Sequence, residues 1–103
     1  MGEAFTASGW KGATYGIRVG GRNRDRYFDS AWETVELQLV GGSAAQRVVV
    51  SVSPSFWRNC PELRSTSIGR WFEGLGLLPW QKGQPPSLQV SRLNPGVFRV
   101  ESP

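Results

Sequence analysis

Residues 33–40 read ETVELQLV, and this stretch decides the fold class because its apolar residues recur at every second position. Val35, Leu37 and Leu39 fall on one side of an extended backbone, and the polar residues between them fall on the other. This alternation predicts a β-strand with one buried face and one solvated face. The domain is therefore expected to be built around a sheet.

The same pattern returns in residues 46–53, where Val48, Val50 and Val52 share one side. A loop of small residues at 41–45 separates the two runs, and two alternating runs joined by a short glycine-containing loop are typical of a β-hairpin. We therefore predict that both apolar sets are buried on the same side of an antiparallel pair.

Three further strands are predicted from the same alternation, at residues 14–19, 88–91 and 97–101. The glycine pair at 20–21 ends the first of them, and the Asn-Pro-Gly sequence at 94–96 predicts the turn between the other two. The last two strands are therefore expected to form a second hairpin.

Helical spacing occurs in residues 67–75, where one apolar stripe predicts a helix. The residues of this stripe are Ile68, Trp71, Phe72 and Leu75. Ser53 and Pro54 form a helix-start signal for a turn of helix over 55–59. Residues 27–32 are expected to form a short helix or a compact loop.

The domain organisation follows from these elements. Residues 1–13, rich in Gly, Ala and Ser, are expected to be a flexible N-terminal arm, and residues 14–103 a single globular domain. Its predicted class is mostly β with one or two short helices (α+β), arranged as a small open barrel or a strongly curled antiparallel sheet. The helical segment is expected to plug an open end, and the Pro-rich stretch at 79–86 to be a stiff connector.

Catalysis is not expected from this composition. Histidine is absent, which excludes the commonest general base and the Ser-His and Cys-His nucleophile pairs. The only lysines are Lys11 and Lys82, and neither follows a carboxylate at the spacing of a restriction-type nuclease motif. We therefore expect no enzyme, no catalytic residue, no metal site and no cofactor.

The single cysteine bears on the compartment. Cys60 has no partner for an internal disulfide, which favours a cytoplasmic location, or a nuclear one in a eukaryote. Its apolar neighbours predict a small buried thiol. No apolar run approaches the ~20 residues that span a bilayer, so no membrane partner is expected.

Positive charge is concentrated in one segment. Residues 11–26 contain five cations and one carboxylate, a balance of +4, while the remaining chain has seven of each. Ten of the twelve cations are arginine, whose planar fork of donors suits phosphates and guanine edges. Although such a run is often only a solvated loop, this concentration favours a nucleic-acid partner.

A double-stranded DNA-binding module is the preferred hypothesis. On an extended backbone Arg22, Arg24 and Arg26 would all lie on one side, and Asn23 between them is a base-reading residue type. The contacts predicted from this segment are Lys11, Arg18, Arg22, Asn23, Arg24 and Arg26. Lys11 is expected to be a flexible phosphate contact in the arm.

Several segments resemble the DNA-binding pseudobarrel family, which includes the plant B-three transcription-factor domain and effector domains of some restriction endonucleases. They are RNRDRYF at 22–28, the hairpin at 35–52, IGRWF at 68–72 with LGL at 75–77, and FRV at 98–100. The resemblance implies an open barrel that grips a duplex with residues 18–26. It also implies a second patch near Arg58 and Arg64.

Two other functions stay open. One is a protein-interaction or assembly domain, in which exposed Trp10 and Trp80 form hot spots with arginine. The other is binding of single-stranded nucleic acid by stacking. The competing role for Trp10 is to cover a barrel end, and Trp80 is more readily explained as a clamp on the core than as a stacking platform. A continuous positive face joining residues 18–26 with Arg58, Arg64 or Arg70 would favour nucleic acid.

Overall fold

The computed structural model describes residues 3–41, 45–52, 54–59 and 61–102. The strands in this part of the chain are β1 (Glu3–Lys11), β2 (Tyr15–Arg18), β3 (Thr34–Val40), β4 (Gln46–Ser51), β5 (Glu62–Arg64), β6 (Ser87–Asn94) and β7 (Val97–Glu101). The helices are α1 (Gly21–Tyr27), α2 (Pro54–Arg58) and α3 (Thr66–Gly74). The Ser53 cap, the Cys60 thiol and most of the 41–45 loop lie outside the described residues.

All seven strands belong to one sheet in the order β4-β3-β7-β6-β1-β2-β5. The outermost strands β4 and β5 contact each other, which nearly closes the sheet into a barrel. The predicted small α+β barrel is confirmed. Its sheet is mixed rather than purely antiparallel, because β3 and β7 run parallel. Among the described residues, no helix is long and apolar enough to cross a membrane.

The central hairpin forms as predicted. Val35 pairs with Val50 and Leu37 with Val48. The three residues of each predicted apolar set are buried, including Val52, which directly follows β4. The second hairpin, β6–β7, is also confirmed. Period-two alternation with one apolar face was therefore a sufficient signal for both pairs.

The flexible arm predicted for residues 1–13 is wrong for residues 3–11, which form an interior strand of the sheet. β1 pairs with β6 through residues 3–8 and with β2 through residues 8–11. Phe5, Ala7 and Gly9 face the core and are buried. Gly and Ala have low strand propensity, but hydrogen bonds to two neighbouring strands override that weak local preference.

One expectation is corrected, and one strand was missed. Residues 22–26 are not extended, because they lie in α1, which ends at Tyr27. Residues 28–33 are not helical, so the compact loop was the correct alternative for the segment at 27–32. The three-residue strand β5 was not predicted at all. It is too short to show an alternation, and its pairing with β2 is a long-range contact.

The three helices contribute side chains to one core. In α3, Ile68, Trp71 and Phe72 are buried as predicted, while Leu75 is half-buried against them. α3 packs on β2. At another part of the core Phe28 stacks on Phe98, with ring centroids 4.7 Å apart. The core thus brings together β2, α3, β7 and the segment that follows α1.

Candidate nucleic-acid interface

Two cations from distant parts of the chain meet on the outer face of β2 and β5. Cross-strand pairing places Arg18 opposite Glu62 and Gly16 opposite Arg64. Glu62 Oε2 lies 3.4 Å from Arg18 Nη1, and its Oε1 lies 3.6 Å from Arg64 Nη2. The Glu62 side chain is only 4% exposed, whereas Arg18 and Arg64 are 56% and 46% exposed. Both guanidinium groups are therefore held in place and still open to solvent.

Trp10 lies beside this pair, on the neighbouring strand. It is opposite Gly16 in the β1–β2 register, and Arg64 Cζ lies 4.9 Å from its ring centroid. The absence of a side chain at position 16 permits this approach: a Cβ there would be 3.2 Å from Trp10 Cε3 and 2.5 Å from the Leu63 carbonyl oxygen. Arg64 is thus positioned by a carboxylate and by an aromatic ring.

A groove of about 470 Å³ adjoins this face, between the β1–β2 hairpin and residues 80–85. Lys11, Arg18 and Lys82 line it together with Trp10 and Trp80, and none of its described lining residues is acidic. Such a groove favours anions. With Arg64 and Glu62 included, four cations face one carboxylate, a local balance of +3. We call this set of residues the basic face.

Trp80 holds the connector against the barrel. Its ring lies edge-on to Tyr15 and Phe72, with centroid distances of 5.5 and 5.7 Å. The expected clamp on the core is confirmed, and the half-buried indole also lines the groove. The N–H of Gly9 donates to the Pro86 carbonyl at 2.9 Å, which fixes the other end of the connector.

Asn23 is half-buried and donates to backbone carbonyls. Its amide nitrogen donates to the carbonyl oxygens of Val19, at 2.9 Å, and Thr6, at 3.4 Å. β2 pairs with β1 only from Ser8 onward, so the side chain satisfies a strand carbonyl that β2 leaves unpaired. The structure gives Asn23 the role of holding α1 beside β1, which differs from the predicted base-reading role.

Arg24 is likewise used inside the protein. Its side chain is 14% exposed, and Nη1 donates to the Phe56 carbonyl at 3.0 Å. Its Cζ lies 5.6 Å from the Trp57 ring centroid, and Nε is 3.0 Å from Asp25 Oδ1. Arg24 therefore ties α1 to α2, and it does not share a surface with Arg22 and Arg26.

The remaining predicted contacts are exposed cations. Arg22 and Arg26 lie four residues apart on α1, which places them on one side of the helix. Arg26 Cζ is 5.4 Å from the Tyr27 ring centroid. Arg58 is exposed at the end of α2. The structure thus brings Lys11, Arg18 and Arg64 together and places Arg22, Arg26 and Arg58 on the helices.

Lys82 was missed as a site residue. It lies in a Pro-rich connector far from the basic segment in sequence, and no local pattern marks it. Only the return of the connector across β1 brings it beside Lys11. Sequence reasoning could have found Lys82 only by predicting that the connector returns to β1, where Gly9 pairs with Pro86.

The chain matches no protein-family model, no curated protein and no solved structure.

Proposed function

We propose that this domain binds nucleic acid, with double-stranded DNA as the preferred ligand, through the basic face and the exposed arginines of α1. One observation carries the proposal: Arg18 and Arg64, 46 positions apart in sequence, meet at Glu62 beside a groove that Lys11 and Lys82 line. Cations from four separate segments thus form one surface. A solvated basic loop would not gather distant cations in this way.

The size of the surface suits a duplex. From Lys11 at the basic face, β1 runs seven residues to Ala4, whose carbonyl accepts a hydrogen bond from Tyr27 Oη at the end of α1. Seven residues of strand extend about 23 Å at ~3.3 Å per residue. One DNA strand carries a phosphate about every 3.4 Å of helix axis. The stretch from Lys11 to the end of α1 therefore matches a length of roughly seven nucleotides.

Phosphate contacts are favoured over stacking. Arg64 lies over the Trp10 ring, and Trp80 is packed edge-on against two core aromatics. Neither indole is presented as an open platform for successive unstacked bases. This supports duplex binding over single-strand binding.

A matched pair of double variants tests the proposal. Lys11→Gln with Lys82→Gln removes two cations from the groove, and Arg47→Gln with Arg99→Gln removes two exposed cations from β4 and β7. Both lower the net charge by two. Affinity for a mixed-sequence duplex is measured by fluorescence anisotropy over a range of salt concentrations.

The groove variant is expected to reduce the slope of log affinity against log salt by about 1.8, at about 0.9 per phosphate contact. The control is expected to keep the wild-type slope. Equal losses in both variants would assign the effect to net charge and remove the groove from the site. If the wild-type protein does not bind duplex at low salt, nucleic-acid binding is refuted and a protein partner becomes the better explanation.

A further inference from the structure

A second cleft, of about 560 Å³, lies where the end of α1 meets α2 and the β6–β7 turn. It is separate from the groove that Lys11 and Lys82 line. Its volume is within the range of about 300–1,000 Å³ that is usual for small-molecule sites. The lining residues that matter here are Arg26, Tyr27, Asp29, Trp32, Trp57 and Arg92.

The two indoles of the cleft are held by the core. Trp32 lies edge-on to Phe28, with ring centroids 6.2 Å apart and an interplanar angle of 60°. Trp57 is perpendicular to Phe56, at 5.6 Å and 83°, and Arg24 lies over it. Both indoles are half-buried, so each presents part of its surface to the cleft. Rigid aromatic surfaces of this kind suit a flat aromatic ligand.

The polar groups of the cleft have both signs of charge. Asp25 and Asp29 supply two carboxylates, and Arg26 and Arg92 supply two guanidinium groups, so the formal balance is zero. The Ala31 N–H donates to Asp29 Oδ1 at 2.8 Å, which fixes the orientation of that carboxylate. Donors and acceptors thus lie beside aromatic surfaces.

This combination selects the chemistry of the ligand. The arginines disfavour a cationic ligand such as a methylated ammonium, and the carboxylates disfavour a simple anion. A neutral, planar group with donors and acceptors on its edge satisfies both sets, and a nucleobase is such a group.

α1 connects the cleft to the basic face. The helix begins directly after β2, which carries Arg18, and ends with Arg26 and Tyr27 at the cleft. Exposed Arg22 lies one helical turn before Arg26 on the same side. A nucleic-acid backbone bound along this side of α1 would extend from the basic face to the cleft.

We propose that the cleft receives one unpaired nucleobase of a nucleic acid bound on the basic face. This inference rests on the proposed nucleic-acid binding and adds to it a base-specific element. Enzymes that act on a single base take it out of the helical stack and hold it between aromatic or apolar side chains, with hydrogen bonds to its edge. The phosphate contacts would position the strand, and the cleft would hold the base.

The test uses three duplexes of equal length: one fully paired, one with a single bulged adenine, and one with a bulged abasic nucleotide in its place. The bulged adenine avoids the free-energy cost of breaking a pair. It is expected to bind about tenfold more tightly than the abasic bulge, because only the former has a base to stack. Equal affinity for the two bulges would overturn the inference, while a retained steep salt dependence would leave the proposed function standing.

Two variants connect the preference to the cleft. Trp32→Ala removes an aromatic surface, and Asp29→Asn replaces one carboxylate oxygen by a donor while its amide oxygen still accepts the Ala31 N–H. Both are expected to lose most of the tenfold preference and to keep the salt slope. Arg99→Gln, on β7, is the control and should keep the preference. A preference that survives in folded Asp29→Asn and Trp32→Ala would place the base elsewhere and overturn the assignment.

A free nucleotide is the alternative source of the same chemistry. Adenosine monophosphate is therefore titrated separately and followed by the NMR amide shifts of residues 27–32. Tight binding of the mononucleotide, with no preference between the two bulged duplexes, would contradict a strand-borne base. No binding of the mononucleotide together with the adenine preference would support it.

Discussion

Arg18 Nη1 lies 3.4 Å from Glu62 Oε2, although the Arg18 side chain is 56% exposed and that of Glu62 is 4% exposed. The same carboxylate also pairs with Arg64. One buried negative charge therefore orients two exposed positive charges. It also offsets part of their positive electrostatic potential, so its removal should change the affinity of this surface for an anionic ligand.

Glu62→Gln is expected to tighten binding to duplex DNA. The amide keeps the shape of the side chain but removes the charge that competes with phosphate for Arg18 and Arg64. The gain should be about 1 kcal/mol, roughly fivefold, which is the scale of one charge pair at 4 Å in water. The measurement is duplex affinity at low salt, with circular dichroism to check that the variant is folded. An unchanged affinity in a folded Glu62→Gln protein would mean that the two arginines do not contact the nucleic acid.

Arg22 and Arg24 are expected to respond differently to truncation, although they are two residues apart. Arg24→Ala removes a charged donor from the Phe56 carbonyl and should lower the free energy of unfolding by about 1.5–3 kcal/mol. Arg22→Ala, at an exposed position, should change it by less than about 0.5 kcal/mol and weaken DNA binding. Urea unfolding and anisotropy measure the two effects. Equal unfolding curves for the two variants would contradict the buried role of Arg24.

Asn23→Ala is expected to act on the fold rather than on base selectivity. The variant loses the donor to the Val19 and Thr6 carbonyls, a cost of about 1 kcal/mol in unfolding free energy. Hydrogen exchange should become faster in α1, while the ranking of different duplex sequences should not change. A loss of discrimination at one base pair by about 1–3 kcal/mol would instead restore the base-reading hypothesis.

Trp71→Ala is expected to lower the free energy of unfolding by about 3–5 kcal/mol, because truncation of a buried indole leaves a cavity. Trp71 is 6% exposed and packs in the core beside Phe72. Its Nε1 atom is buried without an acceptor among the described residues, so Trp71→Phe should cost less than the alanine variant. Denaturant midpoints measure both, and a cost below about 1 kcal/mol for Trp71→Ala would show that the side chain is not part of the core.

Local patterns predicted the elements in which buried apolar residues recur at a regular spacing along the sequence. The β3–β4 hairpin and α3 each have an apolar face at the correct period, so both were recognised. β1 was not recognised, because its Gly, Ala and Ser residues show only a weak alternation. Its extended conformation depends on pairing with β2 and β6. Hydrogen bonding between distant segments, rather than local propensity, makes it a strand.

The candidate site was predicted in part for a similar reason. Charge concentration identified Lys11, Arg18 and Arg22 from sequence, and their exposure agrees with that use. It also selected Arg24, since a count of charges does not show which guanidinium is turned inward onto Trp57. Lys82 could not be identified in this way, because its position beside Lys11 depends on the path of the connector and not on the local charge.

The parallel pairing of β3 with β7 has a consequence for how the chain reaches this fold. Glu36 pairs with Val97, 61 positions later, and Phe5 pairs with Val90, 85 positions later. Contacts so distant in sequence require closure of large loops and slow the folding of small domains. During synthesis the β3–β4 hairpin and α3 are complete early, while β1 has no β6 to pair with until residues 87–94 emerge. The edge of β1 that faces β6 therefore remains unpaired on the ribosome, in the interval when nascent chains are most prone to aggregate.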